Sequence, residues 1–199
     1  MISVKNKVLT LIRKPHLAIE KYFRVLILKE ILPIYNENYE ECWGYVDYKG
    51  KTVLDLGADY GSTAYYFLKK GAKKVIAVEG DEILGSKLKH NFGEDSRVSC
   101  VTRWISSSKD IELLIRTYPC DIAKVDIEGA ELYLAEVSPE ALLSVNEWLI
   151  ETHSKEIYDK LATLFLKLRF KVYVVDYDMV GVSGILLCGS HSCRKEAEI

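Results

Sequence analysis

The 199-residue chain lacks several features that would assign it to a special class of protein. Its five cysteines are scattered and form no C-x-x-C pair, which argues against a disulfide framework or a structural zinc site. No secretory signal stands out and no apolar stretch is long enough to cross a bilayer, so we expect a cytoplasmic protein without a stable membrane span. A net charge of -2 gives no general reason to expect a nucleic-acid partner. Glutamine is absent, which is compatible with a heat-adapted source or with biased nucleotide composition.

The composition is that of an ordinary folded domain, because 49% of the residues are hydrophobic and the charges are balanced. After residue 50, strand-like runs alternate with helical stretches, which is typical of a parallel sheet with helices on both faces. The last connection, 177–183, is too short for a helical crossover, so the final two strands should pair antiparallel. We therefore predict an α/β, Rossmann-like fold with a seven-stranded, mostly parallel sheet whose last strand is antiparallel. The predicted strands are 52–56, 74–79, 97–102, 121–126, 147–152, 171–176 and 184–188. The predicted helices are 62–70, 82–91, 109–118, a short piece around 131–143, and 155–168.

The region before the sheet has a different character and is predicted to be a helical cap over residues 1–48, followed by the main domain over 49–199. Pro15 can open a helix and Pro33 can end it, with an apolar stripe between them. Basic residues outnumber acidic ones in the first thirty positions. We expect this segment to pack on the sheet domain or to form a self-association surface that makes a homodimer, with a lipid-facing role as a third option.

The most informative motif is V-L-D-L-G-A-D-Y-G at residues 53–61, followed by a second apolar run that ends at Glu79. An acid ending one strand, a glycine turn into a helix and an acid ending the next strand are typical of a nucleoside site. Asp55 lies two residues before the first glycine, where it would repel a pyrophosphate but attract the ammonium of S-adenosylmethionine. Glu79 would accept hydrogen bonds from the ribose hydroxyls. The predicted cofactor-binding residues here are Asp55, Gly57, Ala58, Asp59, Gly61 and Glu79.

Further candidates follow the later strands, since ligands bind beyond the carboxyl ends of parallel strands. Trp104 follows the third strand, where it could stack on the purine or belong to the core. Asp126 and His153 are candidate catalytic bases, Asp126 by its position and His153 by its ordinary pKa, and either could instead serve as a cap or core residue. With Glu128 and Glu151 they could also hold Mg²⁺ or Mn²⁺.

Four segments together resemble the FkbM family of S-adenosylmethionine-dependent methyltransferases. They are G-A-D-Y-G with its preceding D-L, V-E-G-D, K-V-D-I-E-G-A-E at 124–131, and E-T-H at 151–153, so that the resemblance spans roughly 52–178. It implies a class I methyltransferase that methylates a hydroxyl of a small molecule such as a sugar, a polyketide or a lipid-like compound. Two departures stand out: Gly80 replaces the proline that commonly follows the acid of the second strand, and R-W-I-S at 103–106 follows the third strand, where many related methyltransferases have an Asp or Asn that binds the adenine amine. Ser106 could accept that hydrogen bond instead.

Three alternatives stay open at this point. The enzyme could methylate RNA or protein, the chain could bind S-adenosylmethionine without catalysis, or it could use a nicotinamide cofactor. The acceptor pocket should come from the loops 34–48 and 177–183. The first of these is rich in aromatic residues, which could line an acceptor or pack between cap and sheet: Tyr35, Tyr39, Trp43, Tyr45 and Tyr48.

Overall fold

The computed structural model describes residues 39–177 and 184–189, and within them a single seven-stranded sheet organises the chain. The strands are β1 (Thr52–Leu56), β2 (Lys74–Glu79), β3 (Val98–Thr102), β4 (Ile122–Val125), β5 (Glu147–Thr152), β6 (Lys171–Tyr177) and β7 (Gly184–Gly189). Their order across the sheet is β3-β2-β1-β4-β5-β7-β6. All pairs among the first five strands are parallel, whereas β7 pairs antiparallel with both β5 and β6. The predicted fold class is thereby confirmed.

Helices connect the strands and begin where the sequence provides caps. They are α1 (Tyr39–Trp43), α2 (Ser62–Lys69), α3 (Glu82–Phe92), α4 (Ser108–Thr117), a 3₁₀ helix (Ala130–Glu136), α5 (Pro139–Leu143) and α6 (Lys155–Lys167). The α3 helix shows how the capping works: Asp81 accepts hydrogen bonds from the backbone amides of Ile83 and Leu84, which have no partner inside the helix.

The predicted helix over 131–143 is wrong as a single element. The structure divides it into the 3₁₀ helix and α5, because Ser138 caps a new helix whose first residue is Pro139. Proline fits the first turn of a helix but disrupts an interior, so the chain cannot continue one helix through this position. The predicted strand over 121–126 is likewise longer than β4, and Asp126 therefore lies just beyond the strand end.

The apolar core occupies both faces of the sheet. Leu54 and Leu56 of β1 belong to one cluster, together with side chains of α4, α5 and α6, while Val53 faces the other cluster with α2 and α3. This alternation is the period-two pattern expected of a strand covered by helices on both sides.

Most of the predicted cap, residues 1–38, lies outside the described residues, as does the loop 178–183. In the described part of the segment, Trp43 and Tyr48 are buried, and the Tyr48 ring stacks on Phe67 of α2 with 4.9 Å between ring centroids. No described helix has the length and the apolar character needed to cross a membrane.

Candidate functional site

A glycine turn joins β1 to α2 at the carboxyl edge of the sheet. The backbone amides of Gly57 and Ala58 both donate to the carbonyl of Val78 at 3.0 Å, which ties the turn to β2. Gly57 has φ +80°, and a Cβ at this position would lie 1.7 Å from the carbonyl oxygen of Asp126. Gly61 has φ +96°, and a Cβ there would lie 2.3 Å from the Phe92 ring. Because Gly57 has no side chain, the loops after β1 and β4 can approach this closely. Because Gly61 has none, the turn can pack against Phe92.

Glu79 joins the loops that follow β1 and β2. One carboxylate oxygen accepts from the amide of Asp59 and the other from the amide of Asp81, both at 2.8 Å. Asp59 itself has a left-handed backbone with φ +51°, and its buried Oδ2 has no hydrogen-bond partner among the described residues. Burial, followed by repulsion from Glu79, raises the pKa of Asp59 to about 6. A cationic group beside Asp59 would attract the ionised carboxylate and so oppose both effects.

Asp55 has a different environment from the one expected of a ligand-binding residue. It is fully buried because it shares the face of β1 that carries Val53 into the core. Its Oδ2 accepts from the Thr63 hydroxyl at 2.6 Å, and its Oδ1 lies 3.4 Å from Nζ of Lys124. Burial raises the pKa of Asp55, while Lys124 and Thr63 act in the opposite direction. The structure thus places Asp55 beneath the turn, where it contacts protein groups rather than the open edge.

Lys124 is the residue whose role the sequence analysis missed. It is 1% exposed, and its ammonium donates to the carbonyl of Gly57 at 2.6 Å. The same nitrogen lies 3.3 Å from Oδ2 of Asp126 and 5.4 Å from the centroid of the Trp43 ring. Burial alone would lower the pKa of Lys124, but attraction by Asp126 and Asp55 outweighs it and raises the pKa. A lysine between Ala123 and Val125 in an apolar strand was the available signal, because a buried charge requires a partner.

A second group of side chains follows β4 and β5. Glu131 is fully buried, and its carboxylate accepts from the amides of Ile127 and Gly129 at 2.8 and 2.9 Å. Its Oε1 also lies 3.1 Å from Nδ1 of His153, which fixes the imidazole. The other ring nitrogen of His153 lies 3.8 Å from Asp126 and 3.5 Å from Glu128.

This environment changes the expected role of His153. The hydrogen bond with Glu131, together with the nearby Asp126 and Glu128, raises the pKa of His153 to about 9 although burial opposes the shift. An imidazole with that pKa is protonated at neutral pH and donates hydrogen bonds, so it does not favour the role of proton acceptor.

The structure brings together three of the four residues expected as cation ligands. One ligand atom each from Asp126, Glu128 and His153 lies within 4.8 Å of the others. Within the described residues, Glu151 is not part of this group. The acid that contacts the other ring nitrogen of His153 is Glu131. The sequence offered a signal for it, since Glu131 is the last residue of the K-V-D-I-E-G-A-E segment.

Trp104 lies on the surface near Glu79, and the alternative that placed it in the core is wrong. Its side chain is 71% exposed because it follows β3 at the open edge. A Cβ added at Gly80 would lie 2.8 Å from Cε3 of Trp104, so the indole covers the backbone after Glu79. The two departures from the FkbM pattern are therefore linked, since a proline side chain at position 80 would collide with this ring.

The strand order, the reversed β7 and the glycine turn where the order reverses define the class I methyltransferase fold, a Rossmann-like fold. Solved structures with this fold agree. A candidate RNA methyltransferase from Pyrococcus horikoshii has a TM-score of 0.52 and 20% identity, with 75% of this chain and 77% of that chain covered. Fibrillarin from Aeropyrum pernix, in complex with S-adenosylmethionine, has a TM-score of 0.54 and 14% identity over 72% of this chain and 68% of its own. These identities establish a shared fold.

Sequence relatives occur among viruses. The chain is 35% identical to uncharacterized protein 158B of Sulfolobus islandicus rod-shaped virus 1 over 98 residues, which cover 49% of this chain and 59% of that protein. It is 27% identical to uncharacterized protein 65 of a Sulfolobus islandicus filamentous virus over 122 residues, or 60% of this chain and 70% of that protein. The match thus spans less than two thirds of the first relative. No family model matches the chain, so membership of the FkbM family is not confirmed.

Proposed function

We propose that the protein is an S-adenosylmethionine-dependent methyltransferase that methylates a hydroxyl group of a small molecule. One observation carries the proposal: the glycine turn and the carboxylate of Glu79 meet at the carboxyl edge of the sheet, next to the reversal of strand order between β1 and β4. In open α/β sheets this crevice is where nucleosides bind. Glu79 is an acceptor-only group at the strand end, as the ribose hydroxyls require.

The remaining residues fit the other parts of this cofactor. Asp59 presents a buried carboxylate oxygen that lacks a partner among the described residues, which suits an ammonium group. Exposed Trp104 offers an aromatic face for the purine beside Glu79. Gly57, Ala58 and Gly61 bring the backbone close to the ligand, while Asp55 supports the turn through Thr63 and Lys124. When bound, the cofactor supplies a methyl group already activated by its sulfonium.

Asp126 is the residue that we propose removes the proton of the acceptor hydroxyl. It follows β4 directly at the open edge, and its side chain is 27% exposed, so an acceptor can reach it. Lys124 holds one of its oxygens at 3.3 Å, which fixes the carboxylate. Protonated His153, held by Glu131, would donate a hydrogen bond to the acceptor instead of taking its proton. The K-V-D-I-E-G-A-E segment that provides these residues is also the most specific part of the FkbM resemblance, which supports a sugar, polyketide or lipid-like acceptor.

A divalent cation is an alternative to the hydrogen bond from protonated His153, because a ring nitrogen that binds a metal cannot also carry a proton. Asp126, Glu128 and His153 offer the hard oxygen atoms and the imidazole that Mn²⁺ or Mg²⁺ accepts. A cation there would acidify the acceptor hydroxyl. If turnover is unchanged after chelation and dialysis, this part fails and the rest of the proposal stands.

The test combines binding with turnover. Calorimetric titration with S-adenosylhomocysteine should give saturable binding in the wild type and at least about tenfold weaker binding in Glu79→Gln, because a hydrogen bond to a charged group is lost. Glu82→Gln is the matched control, since Glu82 is exposed at the start of α3 and should bind normally. In an acceptor screen, Asp126→Asn should abolish methyl transfer. The same variant should still bind S-adenosylhomocysteine. Equal binding by Glu79→Gln and the wild type would contradict the proposed site.

A second candidate is a methyltransferase that acts on RNA or protein. It is favoured by structural neighbours of those kinds, the Pyrococcus protein among them and a ribosomal protein L11 methylase from Lactobacillus delbrueckii, with a TM-score of 0.51 and 18% identity over 72% of both chains. RNA binding that weakens steeply with salt, together with methylation of RNA in preference to small hydroxyl compounds, would favour this candidate.

A further inference from the structure

The amino edge of the sheet, at the opposite end of the strands from the glycine turn, carries a cluster of lysines. The loop before β1 and the segment from the end of α2 to the start of β2 contribute six of them, together named the lysine edge: Lys49, Lys51, Lys69, Lys70, Lys73 and Lys74. Lys51 is half-buried and the other five are exposed. The net charge of the whole chain is -2, so the positive charge of this edge is a local feature.

The backbone holds the two lysine-bearing segments side by side. The amide of Gly50 donates to the carbonyl of Gly71 at 2.9 Å, and the amide of Lys73 donates to the carbonyl of Lys51 at 2.7 Å. A Cβ added at Gly71 would lie 3.5 Å from Cα of Lys49. Two separate parts of the sequence therefore form one continuous surface.

Few acids offset the charge of the lysine edge. Glu40 forms an ion pair with Lys70, and the carboxylates of Asp47 and Asp121 accept hydrogen bonds from backbone amides of the same edge. Among the described residues, no ion pair joins the other five lysines to an acid. Like charges held this close repel one another, and a polyanion bound across them would relieve the repulsion.

The other residues of the two segments indicate which polyanion fits. Besides the lysines, 49–51 and 69–74 contain only Gly50, Gly71 and the buried Ala72. These segments thus expose no apolar side chain that could insert into a lipid surface, and no aromatic ring that could stack on an unpaired base. Lysine supplies a flexible point charge, which contacts phosphates without reading bases. A duplex fits such a surface best, because its phosphates lie outside and its bases are stacked within.

We propose that the lysine edge binds the phosphate backbone of a double-stranded nucleic acid, independently of its sequence. The length of β1 separates this edge from the glycine turn and Glu79, so the inference goes beyond the proposed function and uses none of its residues. Binding here anchors the protein to a duplex without occupying the crevice at the carboxyl edge.

Fluorescence anisotropy with short labelled duplexes of RNA and of DNA tests the inference. The triple variant Lys49→Gln/Lys69→Gln/Lys73→Gln removes three exposed charges from the edge and should bind a duplex at least about tenfold more weakly at low salt. A plot of log affinity against log salt concentration should also become less steep by about 2 to 3, because each lost phosphate contact removes about 0.9 from the slope. Duplexes of different sequence should bind equally well.

The matched control removes the same number of charges elsewhere. Lys109→Gln/Lys160→Gln/Lys167→Gln changes exposed positions of α4 and α6, and it should bind the duplex as the wild type does. Circular dichroism would confirm that both variants are folded. The edge variant should also keep its affinity for S-adenosylhomocysteine, since it leaves the carboxyl edge unchanged.

The outcomes separate the possible partners. Tighter binding of RNA or of DNA duplex would identify the source of the phosphates, and either supports the inference. Equal losses in the two triple variants would show a general effect of charge and would overturn it. Tighter binding of single strands than of duplexes, or binding to vesicles of phosphatidylcholine and phosphatidylserine without duplex binding, would also overturn it. A wild type that binds no duplex would end the inference and leave the proposed function intact.

Discussion

At the scale of single residues, the site depends on one buried cation. Lys124 contacts the carbonyl of Gly57 and the carboxylates of Asp55 and Asp126, so it joins the turn that would hold the cofactor to the residue that would act on the acceptor. A buried charge with several partners does not necessarily add stability, but the loss of one partner leaves the others uncompensated.

Substitution of Lys124 tests this network. Lys124→Met should lower the free energy of unfolding by about 3–5 kcal/mol, because Asp55 then lies buried without its cation. Adding Asp55→Asn to that variant should recover part of the loss, which a double-mutant cycle from urea unfolding would measure. Lys69→Met, at an exposed position of α2, should change the stability by less than about 0.5 kcal/mol. Strictly additive effects of the two buried substitutions would argue against the network.

At the scale of elements, the loops after β1 and β4 determine the site because their backbones touch. Gly57 allows this contact by having neither a side chain nor a barrier to positive φ. Glu131 stabilises the loop after β4 in the same region by accepting two of its amides. The turn between the strands, rather than any single helix, therefore brings Asp126 to the proposed cofactor.

Gly57 must both adopt a positive φ and leave no side chain near Asp126, and a comparison with Gly50 separates these two requirements. Gly57→Ala should strongly weaken S-adenosylhomocysteine binding and destabilise the fold, since its methyl group would lie 1.7 Å from the carbonyl of Asp126. Gly50→Ala provides the comparison: Gly50 has φ +71° but nothing within 4 Å of an added Cβ, so only the backbone cost of about 1–2 kcal/mol should appear. Binding and chemical unfolding of both variants would be measured. Similar behaviour of the two would show that the close contact is unimportant.

At the scale of the whole molecule, the fold admits more than one nucleoside. Doubly wound sheets bind both dinucleotides and S-adenosylmethionine at the same edge, so the choice between them depends on the side chains of the turn. Here Asp59 and Glu79 place two carboxylates beside Gly57 and Gly61, which disfavours a pyrophosphate.

Thermal unfolding of the entire chain should show which of the two cofactors it binds. A ligand present at about 100 times its dissociation constant stabilises the native state by about 2.7 kcal/mol, which should raise the melting temperature by several degrees in a chain of this size. We expect that rise with S-adenosylhomocysteine and not with NADH at equal concentration. A larger shift with NADH would instead support a nicotinamide enzyme.

The sequence by itself determined the sheet and most of its elements, because the relevant signals are local. The bounds of β1, β2 and β5 follow from apolar runs that end at acids or turns, and the short connection before β7 required an antiparallel pair. The sequence also contains the signal for a new helix at Ser138 and Pro139, a capping residue followed by a proline. The apolar pattern continues across this position and favoured a single element instead. The candidate residues Asp59, Glu79, Asp126 and His153 were proposed from the sequence because they lie in the glycine turn or at the ends of predicted strands.

Only the tertiary structure decided what those residues contact. Asp55 and Asp59 are both acids in one motif, yet the structure buries Asp55 against Thr63 and Lys124, whereas one oxygen of Asp59 has no hydrogen-bond partner among the described residues. Glu131 changes the protonation of His153 across 22 positions of sequence, and Trp43 reaches Lys124 across 81. Burial and electrostatic interactions depend on distances through space, and these arise only when β1, β4 and β5 lie side by side.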